Sequence, residues 1–239
     1  MRVPVLCYHR VEEPPDGVAY DGNFVDPTLF ASHMQLLASL GCAAVTVSAL
    51  TRWQRGEQVL PPRAVAITFD DAYQSVHDFA LPVLATHGWP ATVYVVSSQL
   101  GGTNAWDIGA PHAVLMDAPT LRAMAAAGHE IGSHSQHHRR IRGLDDATAL
   151  DELRCSREAL EAAINVPVES FAFPYGSHDA RALAHVRAAG YRSSVTLKRW
   201  ANGRSTNPLR LGRVGVGGPL PAWQLTLKLL KAMLTPSRS

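Results

Sequence analysis

Short apolar runs alternate with longer segments of mixed polarity along most of the 239-residue chain. Runs of four to eight apolar, often branched residues are typical of buried strands. Seven such runs predict strands, and an eighth predicts either a strand or a segment at the rim of the sheet. The predicted strands are 3–8, 43–47, 64–69, 91–96, 130–133, 170–173 and 191–195, and the eighth segment is 211–216.

The segments between these strands carry helix signals. Asp26 and Pro27 stand where a helix begins, and glycines follow several of the segments, as is common after a helix. The clearest helix begins at Asp145 and Asp146, whose negative charges suit the positive end of a helix. The predicted helices are about 26–40, 75–86, 119–127, 145–164, 180–189 and 221–234.

Repeated strand-then-helix units predict parallel strands joined by right-handed crossovers. About seven units in 239 residues favour a single α/β domain, 1–239, built as a barrel or as a doubly wound sheet. We expect its core at about 3–216 and a closing C-terminal helix at about 221–234. In both architectures the functional residues gather at the carboxyl ends of the strands.

Composition and charge exclude several classes of function. The net charge of +2 gives no basic field for nucleic acid, and three scattered cysteines form no CxxC pair for zinc. No apolar run reaches the ~18 residues of a membrane span, and no signal peptide is evident. We therefore expect no integral membrane segment and a cytoplasmic location. The helix at 221–234 mixes leucines with Lys228 and Lys231; closing the barrel is one interpretation and contact with a membrane surface is the other.

Two adjacent carboxylates, Asp70 and Asp71, directly follow the predicted strand 64–69. Where a strand ends and the chain turns, both side chains can reach one site. One could bind a metal while the other acts as a base, because two close carboxylates do not comfortably share one role. The alternative is an ordinary helix cap by aspartate.

Two histidines, His134 and His138, follow the predicted strand 130–133. One helical turn would bring both imidazoles to the same side. Two histidines and a carboxylate make a metal site that leaves positions open for water and substrate. His137 would point elsewhere, and a solvated polar turn is the alternative for the whole stretch.

The third motif, Pro174, Tyr175 and Gly176, follows the predicted strand 170–173. Proline fixes a turn and glycine permits unusual backbone angles. Such a turn could aim a backbone N–H at a developing oxyanion, with an ordinary turn as the alternative.

In this order the three motifs resemble those of the polysaccharide deacetylases, the nodulation-protein-B-like family of carbohydrate esterases (family 4). That family carries Thr-Phe-Asp-Asp, His-Ser/Thr-x-x-His and Arg-x-Pro-Tyr-Gly motifs, and the resemblance covers about residues 3–216. It implies a distorted (β/α)7 TIM-like barrel. It also implies a metal-dependent hydrolase that removes acetyl groups from an N-acetylated amino sugar in a glycan or glycoconjugate. The expected metal is divalent zinc, with cobalt or nickel as alternatives.

The resemblance also implies roles for individual residues. Asp70 would be the catalytic base, and Tyr175 would stabilise the oxyanion through its backbone N–H. The implied metal ligands are Asp71, His134 and His138. The residues expected to contact the carbohydrate are Pro174, Tyr175, Trp106 and Arg213, with core packing as the alternative for Trp106.

The sequence departs from the family pattern at two positions of these motifs. Ala172 stands where the third motif has the arginine that braces the base, and Ala72 stands where glycine is common. Arg210 or Arg213 could replace the missing arginine, and a surface position is the alternative for both.

The general acid is absent from its usual place near the C-terminus. The predicted strand 3–8 resembles the first strand of the circularly permuted poly-N-acetylglucosamine deacetylases, in which the acid histidine ends that strand. This resemblance assigns the general acid to His9.

Other functions remain open on the sequence alone. The same site could serve a deformylase, an amidase or an O-acetyl esterase acting on a lipid-linked or small substrate. The chain could also be a catalytically inactive glycan-binding module. An Asp70→Asn variant separates the two: a module would still bind glycan, whereas an enzyme would lose turnover. The sequence does not determine the sugar, the linkage or the oligomeric state.

Overall fold

The computed structural model describes residues 1–18 and 22–236. The strands are β1 (Val5–Tyr8), β2 (Arg10–Val11), β3 (Phe24–Val25), β4 (Ala43–Val45), β5 (Ala64–Phe69), β6 (Thr92–Val95), β7 (Glu130–Ser133), β8 (Ser170–Ala172), β9 (Ser193–Val195) and β10 (Val214–Gly215). The helices are α1 (Pro27–Ser39), α2 (Val47–Gln54), α3 (Leu81–Thr86), α4 (Ala118–Ala126), α5 (Asp146–Ile164), α6 (Ala180–Ala188) and α7 (Ala222–Leu234). A π-helical turn, Val76–Ala80, precedes α3, and short 3-10 turns lie at Ser97–Gln99, Pro174–Gly176 and Pro208–Arg210.

Eight strands form one parallel sheet, in the order β10-β1-β5-β6-β7-β8-β9. The eighth, β4, pairs with the first half of β5, and β6 pairs with the second half. Leu211 pairs in parallel with Val195 of β9 just before the chain enters β10, so one short segment contacts both ends of the sheet. The sheet is therefore curled, and the predicted α/β, TIM-like fold class is confirmed.

Alternate residues of β5 point to opposite sides of this sheet. Val65, Ile67 and Phe69 pack in the main core beneath the helices. Ala64 and Ala66 belong to a second apolar cluster, which the curled sheet encloses with residues of β1, β6, β8 and β9. The same alternation carries Thr68 and the residue after the strand, Asp70, toward the interior.

Two features of the fold differ from the sequence prediction. Residues 46 and 47 were expected to end a strand, but the Thr46 side chain accepts a hydrogen bond from the Ala49 N–H and begins α2. Branched residues favour strands locally, and here a capping hydroxyl and the burial of Trp53 in the inner cluster outweigh that preference. The small parallel pair β2–β3 was not predicted.

Helix α7 occupies the region expected for the closing helix. The sequence also predicts a loose C-terminal tail at 237–239, which lies outside the described residues. The boundaries of the expected domain, 1–239 with a core of about 3–216, stay a prediction. Within the described ranges, no helix is both long enough and apolar enough to cross a bilayer.

Candidate active site

Six of the nine predicted site residues line one cavity of about 510 Å³ at the carboxyl ends of the strands, whereas Pro174, Trp106 and Arg213 do not line it. Asp70 follows β5, His9 follows β1, His134 follows β7, and the Pro-Tyr-Gly turn follows β8. The residues that line the cavity are Cys7, His9, Gly22, Asn23, Asp70, Asp71, Asp107, His134, His138, Tyr175, Gly176, Leu197, Gly215, Val216, Gly217 and Lys228. Residues distant in sequence thus meet where a parallel barrel carries its chemistry.

Asp70 is held in a fixed orientation by two sets of hydrogen bonds. Its backbone N–H donates to the Tyr8 carbonyl, 3.0 Å away. Its two carboxylate oxygens accept from both terminal nitrogens of Arg213, at 2.6 and 2.7 Å. Burial alone would raise the pKa of Asp70, but the charge of Arg213 and the nearby imidazoles outweigh burial and hold that pKa well below its usual range. Asp70 is therefore ionised throughout the physiological pH range.

Arg213 is fully buried, and its Nε donates to the Thr196 carbonyl at 3.2 Å. Its guanidinium holds the Asp70 carboxylate, the contact that the sequence leads us to expect of Arg210 or Arg213. The expectation that Arg213 lies at the surface or contacts substrate is wrong, since both of its forked nitrogens are engaged by Asp70. Arg210 lies elsewhere, 5.7 Å from the Trp200 ring. Of the two candidate arginines, Arg213 is the one that contacts Asp70.

Asp71 leaves the strand with an unusual backbone. Its φ is +72°, and that of Ala72 is +59°, the left-handed region that residues other than glycine seldom adopt. The turn directs Asp71 into the cavity beside Asp70. The Asp71 Oδ1 atom is buried and makes no hydrogen bond to any described residue. A buried carboxylate oxygen without a partner is costly, so this atom is one that a cation would satisfy.

His134 and His138 meet Asp71, but for a different reason from the one expected. Residues 134–138 form a loop and not a helical turn, with positive φ at Ser135 (+67°) and His138 (+57°). The backbone N–H of Ser97 donates to the Ser135 carbonyl at 3.2 Å, which ties the loop to the end of the neighbouring strand. The helical-turn explanation is therefore wrong, although the two side chains do converge.

Both imidazoles turn their Nε2 toward Asp71, and a hydrogen bond fixes the tautomer of His134. His134 Nδ1 lies 2.8 Å from the Ala172 carbonyl, which only accepts, so Nδ1 carries the hydrogen. In the neutral ring, His134 Nε2 then carries a lone pair, and it lies 3.5 Å from Asp71 Oδ1. His138 Nε2 lies 3.4 Å from the same oxygen, with its Nδ1 3.1 Å from the Tyr175 hydroxyl.

The lone pair of His134 Nε2 and the Asp71 oxygen are two acceptors that repel each other unless a cation lies between them. The ligand atoms of Asp71, His134 and His138 all lie within 4.8 Å of one another, and all three residues are buried. One carboxylate and two neutral imidazoles are ligands that zinc and related divalent ions favour. The residues therefore fit the divalent metal that the sequence leads us to expect.

The pKa shifts agree with this donor set. Burial, then the negative charges of Asp70 and Asp107, raise the pKa of Asp71 well above its ordinary value. Burial lowers the pKa of His134 to about 4 and also lowers that of His138. Without a cation, the site disfavours charge on all three groups, and a bound cation would reverse this preference for Asp71.

His9 enters the cavity from the end of β1, on the side of Asp70. Its Nε2 lies 3.9 Å from Asp70 Oδ2. Cys7, two residues earlier, lies against the same carboxylate, with its thiol 3.6 Å from Asp70 Oδ2. Burial raises the pKa of the Cys7 thiol, so it is protonated and can donate a weak hydrogen bond.

Aromatic side chains cover the metal-ligating side of the cavity. The Tyr175 ring and the Trp106 ring each lie 4.7 Å from the His138 ring, measured between centroids. The Arg140 guanidinium lies 3.9 Å from the centre of the Tyr175 ring. Trp106 therefore packs on the site and not in a distant core, and Pro174 is buried at the base of the turn.

Several cavity residues were not identified from the sequence as site residues. Asp107 lies on the long loop after β6, and its charge acts on Asp71. Leu197 and Lys228 also line the cavity, and both come from the C-terminal part of the chain. No local motif marks these residues, because they reach the cavity only through the tertiary fold.

Comparison with known proteins places the chain in a family. The polysaccharide deacetylase family model matches residues 57–194. The chain belongs to the polysaccharide deacetylase family. The family predicted from the three motifs is thereby confirmed, and with it the class of enzyme, a hydrolase that deacetylates carbohydrate.

Relatives of this polysaccharide deacetylase align along most of its length. YxkH of Bacillus subtilis (strain 168) is 24% identical over 217 residues, covering 90% of this chain and 71% of YxkH. The poly-beta-1,6-N-acetyl-D-glucosamine N-deacetylase of Staphylococcus aureus (strain MRSA252) is 22% identical, covering 80% of this chain and 67% of that enzyme. The structure of the Streptococcus pyogenes deacetylase PplD in complex with acetate superposes with a TM-score of 0.82 at 18% identity, covering 96% of this chain and 98% of PplD. This last likeness supports the fold.

Proposed function

We propose that this polysaccharide deacetylase hydrolyses the N-acetyl group of an amino sugar in a glycan or glycoconjugate, with a divalent metal at Asp71, His134 and His138. One observation carries the proposal. The buried Asp71 Oδ1 faces two imidazole nitrogens without a hydrogen bond from any described residue, directly beside a carboxylate that Arg213 keeps ionised.

Zinc is the expected ion, with cobalt and nickel as alternatives, because two imidazoles and a carboxylate suit all three. A divalent ion held there supplies Lewis-acid chemistry, polarising the acetyl carbonyl and lowering the pKa of water. The protein's part is to keep the ligand atoms oriented. The Ala172 carbonyl fixes the His134 ring, and the Tyr175 hydroxyl fixes the His138 ring.

Asp70 is the proposed general base. Because Arg213 holds both carboxylate oxygens, Asp70 keeps one orientation and stays ionised, ready to accept a proton from the attacking water. The Tyr175 backbone N–H is the proposed donor to the oxyanion that forms as water adds to the acetyl carbon. The φ of +59° at Tyr175 marks the unusual backbone of this turn.

His9 is the proposed general acid. It reaches the cavity from β1, and its Nε2 lies 3.9 Å from Asp70 Oδ2. A proton passed from Asp70 or held at His9 can be delivered to the leaving nitrogen as the carbon–nitrogen bond breaks. The products are acetate and the free amino sugar.

The substrate class rests on the family and on the relatives' printed names. The relative from Staphylococcus aureus is named for poly-beta-1,6-N-acetyl-D-glucosamine, and a similar glycan is our first candidate substrate. Trp106 and Tyr175 beside His138 offer aromatic faces of the kind that suit the apolar faces of sugar rings. The cytoplasmic location and the oligomeric state are not needed for this proposal.

The test is acetate release from N- and O-acetylated sugars and oligosaccharides by metal-stripped protein, with zinc, cobalt or nickel added back. We expect metal-dependent release from N-acetylated amino sugars. Acetate release only from O-acetylated substrates would replace the substrate class. No release by folded protein with any metal would reject the enzyme in favour of a binding module.

A further inference from the structure

Helix α7 carries apolar residues on the face that points away from the protein. Leu225 and Ala232 are buried against the fold, whereas Trp223, Leu227, Leu230 and Leu234 are each more than half exposed. These four residues recur at spacings of four, three and four, so they form a continuous stripe along one side of the helix. A surface helix ordinarily places polar residues there. We call this set the outer stripe.

An apolar groove continues the outer stripe sideways. It has a volume of about 440 Å³ and lies between α7 and α1, with Leu230 shared between stripe and groove. Leu37, Leu40 and Met233 also line it, and Arg2 and Arg63 border it. The exposed apolar surface is thus larger than the helix alone, and cationic side chains lie at its edge.

The last quarter of the chain, which includes α7, carries basic residues and no acidic ones. Residues 180–239 contain eleven of the 22 basic residues of the chain and none of its 20 acidic residues. Arg199, Lys228 and Lys231 form no salt bridge with a carboxylate of the described ranges. Burial, then the positive charge of Arg199, lower the pKa of Lys228, so the two cations lie near each other without a counter-ion. An anionic partner would relieve this repulsion.

We propose that α7 is a membrane-docking helix, which inserts its outer stripe into the interface of an anionic lipid bilayer while Arg199 and Lys231 contact lipid headgroups. A helix with an exposed apolar stripe, a tryptophan at one end and flanking lysines is suited to lie in the plane of the interface. At thirteen residues α7 is about 20 Å long, too short to span the ~30 Å hydrocarbon core.

A second copy of the chain fits this surface less well. A symmetric contact between two α7 helices would bring the same cations of both copies together, and residues 180–239 supply no carboxylate to separate them. An anionic bilayer would bury the outer stripe in its interface and would place negative headgroups beside the cations.

The docking helix borders the active site, since Lys228 lines the catalytic cavity. A bilayer against α7 would therefore lie beside the mouth of that cavity, where a glycan attached to or held near the membrane could enter. This consequence rests on the proposed deacetylase function, whereas docking itself does not.

The test is flotation of the whole chain with lipid vesicles that carry no sugar, so that docking is measured apart from catalysis. We expect binding to phosphatidylcholine vesicles that contain a third of phosphatidylglycerol, and little binding to phosphatidylcholine alone. Leu227→Gln combined with Leu230→Gln should reduce binding at least tenfold. Val59→Gln is the matched control, because Val59 is 91% exposed and lies outside α7.

Two further measurements keep the test decisive. Arg199→Gln with Lys231→Gln should reduce binding to anionic vesicles severalfold, as should added salt. Brominated lipids should quench tryptophan fluorescence in the parent protein, and much less in Trp223→Phe. This comparison holds even if the glutamine variant fails to fold.

Three outcomes would overturn the proposal. The first is that folded protein does not bind vesicles, and the second is that Val59→Gln loses as much binding as the α7 variant. The third is that the protein does not bind vesicles but sediments as a dimer, which Leu227→Gln combined with Leu230→Gln dissociates. The last outcome would assign the stripe to a second copy. Acetate release from a soluble substrate in any of these cases would show that the proposed function survives.

Discussion

The half of the cavity around Asp70 and the half around Asp71 differ in how their negative charge is balanced. Asp70 has two hydrogen bonds from Arg213, a thiol and an imidazole beside it. Asp71 has two imidazole nitrogens facing a buried oxygen that accepts no hydrogen bond from the described residues. Of these two adjacent carboxylates, one is therefore already neutralised by a protein side chain and the other is not.

This difference explains how two neighbouring carboxylates can have separate roles. A carboxylate whose oxygens are both held by an arginine has little to gain from a metal ion, whereas a carboxylate without a cation can be stabilised by one. The Arg213 side chain neutralises the charge of Asp70, whereas the charge of Asp71 would be neutralised by a bound metal ion.

Asp70→Asn and Asp71→Asn should separate catalysis from metal binding. Asp71→Asn should lose tight metal binding and lower kcat by about a thousandfold or more, because the Lewis acid contributes several kcal/mol. Asp70→Asn should keep the metal and lower kcat by about 10² to 10⁴, the usual contribution of a general base. Metal analysis and acetate assays on the same preparations measure both. Equal metal loss in the two variants would contradict the division.

Arg213→Gln should destabilise the fold, because it leaves the Asp70 carboxylate buried and unpaired. Breaking a buried pair on one side costs about 3–5 kcal/mol. Arg213→Lys is the matched control: it keeps the charge but loses the two-pronged geometry, so we expect a smaller loss. Urea unfolding of the three metal-loaded proteins measures the free energies. An unchanged midpoint for Arg213→Gln would remove Arg213 as the partner of Asp70.

The same pair predicts a pH dependence. Because the folded pKa of Asp70 is lowered, its stabilising contribution is present above the unfolded value of ~3.9 and is lost as pH falls through the lower folded pKa. In Arg213→Gln burial dominates and raises that pKa, so the acid limb of kcat/KM should move to higher pH. Profiles measured with parent and variant test the direction. A limb that stays in place would assign it to another group.

Tyr175→Phe should weaken metal binding without abolishing it. The substitution removes the hydroxyl that lies 3.1 Å from His138 Nδ1 and keeps the ring beside Arg140. Loss of such an outer hydrogen bond costs about 10- to 100-fold in metal affinity. Competition with a chromogenic chelator gives the affinity. An unchanged affinity would mean that the contact does not orient His138.

Cys7→Ala should have the smallest effect. The Cys7 thiol, His9 and Asp70 also lie close enough together to suggest a metal site, but the thiol is protonated and Arg213 already neutralises Asp70. We therefore expect unchanged metal content and a change in kcat below about tenfold, since a hydrogen bond contributes about 1 kcal/mol. Loss of metal in this variant would move the site to the Asp70 side.

Much of this arrangement could be predicted from the sequence, for physical reasons. Apolar runs that end in Asp70, His134 and Pro174 indicate the strands, and the ends of parallel strands share one edge. The motif order then indicates the family, and the carboxylate and histidine side chains do converge. What local patterns predict well is which strand end carries which group.

The remainder depends on contacts between distant residues. Arg213 reaches Asp70 across 143 positions of sequence, and the sequence alone leaves open whether Arg210 or Arg213 makes this contact. Left-handed φ at Asp71, Ala72 and Ser135 replaces the helical geometry that spacing suggested, because the loop is held by neighbouring strands. Helix α2 begins at a threonine that its local sequence assigns equally well to a strand.

The most direct test of the division between the two halves is to locate the ion itself. Crystals of the protein soaked in zinc, with data collected across the zinc absorption edge, show the ion by its anomalous scattering. We predict one strong peak bounded by Asp71, His134 and His138, with Arg213 still bonded to Asp70. A peak among Cys7, His9 and Asp70, or no peak in the cavity, would contradict the account.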